Sequence, residues 1–212
     1  LIAWNLAHNT QPYGMDLAAK KQGEKAVLRD VGRVYSSAQQ IFKAMEDAGH
    51  EKLAKAWYKL VKMGGYGQAE KLLRKNTTLR DRNAAIFGPL DPDMHRNSRR
   101  RSGDGTVNRL RIAQIVPDAK QIRDYAKTKT ALVGFGKAGW ITAASSLGGI
   151  RRMPAWITRH RGQAPGHAED HSNRKTDPYI TLTNSVRYAS KILPDHEIAK
   201  ALKMQRGQML RH

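Results

Sequence analysis

TALVGFGKAGWITAASSLGGIRRMPAWITRH, residues 130 to 160, and DPYITLTNSVRYAS, residues 177 to 190, are the stretches whose reading decides the fold. In the first, Gly134, Gly136 and Gly139 match G-x-G-x-x-G, the fingerprint of a dinucleotide-binding turn between a strand and a helix. That chemistry needs an acid about twenty residues further on to hold a ribose. The next acid here is Glu169, and the sequence upstream is helical in pattern rather than strand-like. The stretch therefore reads as a packing helix. Gly136, Gly139, Ala143 and Ala144 let another backbone come close, while Trp140, Ile141 and, beyond the helix, Trp156 supply packing bulk. In the second stretch Ile180 and Leu182 alternate with Thr181 and Thr183, the period of a half-buried strand, and Asn184 marks the turn that ends it.

Between the two, Arg161 to Lys175 reads as an irregular, basic loop. His160, His167, Asp170 and His171 invite a metal reading, but spacings of seven, three and one match no helical or finger-type ligand set. A metal-dependent nuclease would need a carboxylate pair to hold its ion, and none stands out. No catalytic residue, cofactor or metal ligand is predicted, and the chain is expected not to be an enzyme.

Upstream, Leu1 to Met15 reads as an irregular lead that Trp4 can dock on another subunit or on the chain's own core. Val27, Val31, Val34, Ala38, Ile41 and Met45 then recur at alternating four- and three-residue steps. This spacing predicts one long helix, capped by Asp16 and stopped by Gly49. Leu53, Trp57, Leu60 and Val61 predict a second helix ending at Gly64-Gly65, and the short connection makes the two an antiparallel hairpin. Gly88 to Val116 reads as an extended arm. Its Arg96, Arg99, Arg100, Arg101, Arg109 and Arg111 are interleaved with Gly, Ser and Asn and meet one acid, Asp104. Arg151 and Arg152 form a further basic pair, and Pro194-Asp195 open a final helix carrying Ile198, Ala201 and Leu202. The expected architecture is a mainly helical α+β fold in three regions. These are an N-terminal helical region (1–87), the arginine-rich arm (88–116), and an α+β core with a C-terminal helix (117–212).

Composition bounds the partners. The 212 residues carry 38 Lys and Arg against 18 Asp and Glu, a net charge of +20, so the surface attracts polyanions. Without cysteine, disulfide scaffolds, thiolate metal sites and cysteine nucleophiles are excluded. No apolar run reaches the ~18 residues of a membrane span. Leu1 to Thr10 lacks the basic and apolar regions of a signal peptide, so a soluble protein within a cell or virion is expected.

VGFGKAGWITAA, PAWITRH, ITLTNSVRYASKIL and the closing basic helix together resemble small virion proteins of the head-to-tail connecting region of tailed bacteriophages, among them neck and tail-completion proteins. The resemblance covers the chain from Asp118 onward. It implies a non-enzymatic subunit of a homo-oligomeric ring on the axis through which DNA leaves the capsid. Implied partners are further copies of the chain and portal, neck or tail proteins, with nonspecific DNA contact and no membrane. The implied location is the virion's head–tail junction, reached from the host cytoplasm during assembly. Arg96, Arg99, Arg100, Arg101, Arg109, Arg111, Arg151 and Arg152 are then the candidates for DNA or subunit contact. The alternative is a freestanding protein that binds nucleic acid without sequence preference.

Overall fold

A computed structural model describes residues 2–75, 86–98, 114–148 and 153–209, and the fold is mainly helical α+β. The chain divides into two compact units, Leu1–Lys25 with Thr130–His212, and Ala26–Lys129. This differs from the three consecutive regions read from sequence. The first residues and the C-terminal half share one unit because the expected irregular lead is in fact a helix, α1 (Ile2–Asn9), with Ala3, Leu6 and Ala7 buried.

The unit formed by Ala26–Lys129 is a small layered α/β body. Its centre is a three-stranded parallel sheet, β1 (Tyr35–Ser37), β2 (Ile86–Phe87) and β3 (Gln114–Val116), in the order β1-β3-β2. Tyr35 pairs with Gln114, and Gln114 with Ile86. Alternate strand residues point to opposite faces, and a parallel sheet buries both. Ile115 accordingly joins one cluster with Ile41, Met45, Trp57, Val61 and Leu73, from α3 (Ala38–Asp47), α4 (Glu51–Lys62) and α5 (Tyr66–Arg74). Val116 joins a second with Val31 and Val34 from α2 (Leu17–Val34), Tyr35 from β1 and Ala126 from α7 (Ala119–Ala131).

The long helix expected from Asp16 to Gly49 is therefore two helices with a strand between them. The apolar residues on the two sides of the break serve different faces of the sheet: Val31 and Val34 pack with Val116, whereas Ala38, Ile41 and Met45 pack with Ile115. What breaks the helix is Ser37, whose hydroxyl accepts from the Gln40 N–H while the Gln40 side chain accepts from the Ser37 N–H, a capping box that starts α3. The outer limits are as read: Asp16 accepts from the Ala19 N–H to cap α2, and Gly49 and Gly64 adopt left-handed φ of 79° and 74°. Both ends of the expected arm are also structured. Pro92–Ser98 is a helix, α6, and Gln114–Val116 is buried sheet. The Gln114 amide explains the local order, since it accepts from the Asp91 N–H and donates to Pro89 O, fastening the loop before α6 to the sheet.

The other unit is built around α8 (Phe135–Ser145), in which Gly136, Lys137, Ala138, Gly139, Trp140, Ile141 and Ala143 are all buried. A helix covered nearly all round belongs at the centre of its body. Against it lie α1, α9 (Ala155–Thr158) and an antiparallel hairpin of β4 (Gly166–His171) and β5 (Tyr179–Asn184). Here too the structure corrects an expectation, because the segment read as an irregular histidine loop supplies β4. After α10 (Ala189–Ile192), α11 (Asp195–Met209) returns along α1. Among the described residues no helix is long and apolar enough to cross a membrane.

Candidate functional site

The G-x-G-x-x-G stretch begins at Gly134, just before α8, and runs on inside that helix, and the element before it is the helix α7, so the strand that a dinucleotide turn needs is absent there. Each small residue instead has a neighbour pressed on it. Gly134 turns the chain at φ 98°, and a Cβ on it would come within 2.7 Å of Trp156. Gly139 faces the Asn184 side chain so closely that a Cβ would overlap the amide, and Gly166 is likewise pressed onto the Gly139 carbonyl. Asn184 fixes the arrangement: its Nδ2 donates to Gly136 O at 2.8 Å and its Oδ1 accepts from the Val186 N–H at 3.1 Å. The base of the hairpin is thus bolted to α8 by close packing and a side-chain amide.

On another side of α8 a buried polar cluster fastens the N-terminal segment. The Lys137 side chain, fully buried, donates to Ala7 O at 2.7 Å and to Thr10 O, with His8 O at 3.5 Å. Trp140 Nε1 donates to Thr10 Oγ1, which itself donates to Leu6 O. Burial pulls the Lys137 ammonium down to about 7, while carbonyls at the C-terminal end of α1 favour its charged form. Trp156 Nε1 donates to Met15 O in the same manner. Nothing in the spacing of GFGKAG marks Lys137 as buried.

The four residues of the metal reading do not converge. His160 is buried near Val133 O and accepts from Arg159 Nε; burial, and then the Arg159 charge, lower its pKa. His167 and His171 flank Glu169 on one face of β4, at 3.9 and 3.8 Å from its oxygens. Strand alternation puts Asp170 on the opposite face, where it accepts from the Ser172 N–H. Among the described residues no group of three or more His, Asp or Glu is arranged to hold a metal ion.

The hairpin register shows where the supported part ends. On the face that meets α8, the pairs run Gly166 with Asn184, Ala168 with Leu182, and Asp170 with Ile180. The first pair rests on α8 and the second is half-buried, whereas Ile180 is 50% exposed. On the reverse face Tyr179 is 43% exposed, with the His171 ring tilted against it at 4.6 Å and Arg174 over it. Among the described residues the sheet has two strands, so both outer edges lack a strand neighbour there. No family model, curated protein or solved structure matches the chain.

Of the arginines predicted to contact DNA or a neighbouring subunit, Arg96 lies in α6. Arg99, Arg100, Arg101, Arg109, Arg111, Arg151 and Arg152 lie outside the described residues.

Proposed function

We propose that the chain is a non-enzymatic structural virion protein. In this reading it forms a ring at the head–tail junction of a tailed bacteriophage and joins the capsid portal to the tail around the DNA path. Its partners are further copies of itself together with neck, portal or tail proteins. The observation that carries the reading is the overhanging hairpin. A two-stranded ribbon is marginal alone in water, and an open strand edge invites pairing with another chain. Here the base is held on α8 by close packing and the Asn184 amide, while the tip offers Ile180, Tyr179 and, among the described residues, two edges without a further strand. An element anchored at one end and unfinished at the other suits a contact completed by a neighbouring subunit. When such a head-to-tail contact closes by rotation it makes a ring.

A second reading, a freestanding nucleic-acid-binding protein, is favoured by the net charge of +20. Native mass spectrometry after nuclease digestion, from a high-salt preparation, separates the two. The ring subunit is expected at one discrete multiple of 23.8 kDa without nucleic acid. A single-chain mass at all concentrations would support the second reading instead.

A further inference from the structure

The solvent face of α4 carries Lys52, Lys55, Lys59 and Lys62, all exposed, at steps of three, four and three residues. Residues so spaced share one helical face, and the opposite face buries Ala54, Trp57 and Val61 in the core. The acid on this helix is Glu51, at its first position, where a carboxylate suits the helix dipole. Among the described residues none of the four lysines makes an ion pair. Other helices intersperse their cations with acids. Lys20 pairs with Glu24 in α2, Lys200 pairs with Glu197 in α11, and Asp124 interrupts Lys120, Arg123 and Lys127 in α7. Like charges three and four residues apart repel along a helix, so this row carries a repulsion that a bound polyanion relieves.

We infer that this face of α4 is a sequence-independent docking surface for the phosphate backbone of duplex DNA. At 1.5 Å per residue the row is ~15 Å long. One DNA strand presents a phosphate about every 3.4 Å of axis, so the row spans roughly four phosphates. Lysine acts as a flexible point charge suited to phosphate. On one flank of the row Ala56 has no group to read a base edge, and on the other the half-buried Tyr58 ring lies under the Lys62 ammonium, 5.0 Å from the ring centre. This placement differs from the arginine segments singled out by sequence. It rests on the charge pattern of α4 alone and holds whether or not the chain forms a ring.

The test is fluorescence anisotropy of the full chain with a 30-bp duplex over a series of salt concentrations. One variant carries Lys52→Gln, Lys55→Gln, Lys59→Gln and Lys62→Gln. A second, with the same loss of charge on α7, carries Lys120→Gln, Arg123→Gln, Lys127→Gln and Lys129→Gln. Gln is a good helix former, so both variants are expected to keep their circular dichroism and Tm. The α4 variant is expected to lower the slope of log K against log salt by about 3, and the α7 variant by less than 1. Two duplexes of unrelated sequence are expected to give the same wild-type slope. Equal effects of the two variants, or an unchanged slope in the α4 variant, would overturn the inference, since binding would then follow total charge or another surface. Oligomeric mass measured on the same samples reports on the ring separately. A monomer with the slope change sinks the ring and leaves this surface standing; an intact oligomer without it does the reverse.

Discussion

At the scale of single residues, the glycines of α8 and the lysine among them act through what touches them. A Cβ on Gly139 meets Asn184, an amide held at both ends, whereas a Cβ on Gly136 meets the tip of Ile192, which can rotate away. Gly139→Ala is expected to lower stability by about 1–3 kcal/mol through overpacking, and Gly136→Ala by clearly less; chemical denaturation of both variants checks the order. Lys137 makes a pH-dependent claim. Its folded pKa lies near 7, below the ordinary value of 10.5, so between those pH values the unfolded chain binds more protons. This group's contribution to stability therefore rises as pH goes from 7 towards 10. Lys137→Ala also leaves buried carbonyls without a donor and is expected to cost on the order of 3 kcal/mol. The gap in Tm between wild type and this variant is expected to widen from pH 7 to 10. A gap that narrows would contradict the assignment.

At the scale of elements, the chain depends on short devices that interrupt or anchor longer patterns. Ser37→Ala removes the capping box of α3 and is expected to cost about 1 kcal/mol, measured by urea denaturation. The hairpin tip makes the opposite claim. Ile180→Asn changes a half-exposed residue, so Tm in the dilute monomer is expected to move little, within about 0.5 kcal/mol of stability. Assembly is expected to weaken about tenfold or more, read by sedimentation. These elements also show what was legible in sequence. The central packing helix, the α3–α4 hairpin, the β5 alternation and the C-terminal helix follow from apolar spacing and glycine stops. The break at Tyr35 does not, because a three-residue strand barely shifts a helical period; its one local sign is Ser37 with Gln40 three positions on. β4 was hidden because its residues are polar and it pairs on one side with β5. The burial of Lys137 depends on α1, about 130 residues away in sequence, and no local pattern encodes it.

At the scale of the whole molecule, two features ask for something beyond one chain. Among the described residues the hairpin on α8 ends in strand edges without a further strand and in exposed apolar side chains, and the four lysines of α4 make no ion pair. A ring of subunits around a DNA path would satisfy both, with hairpins closing subunit to subunit and basic faces turned to phosphate. The most direct test is electron imaging of the purified chain in high salt after nuclease treatment. The account predicts rotationally symmetric particles with a central opening, and their loss in Ile180→Asn. Monomers, or open filaments without closure, would contradict it.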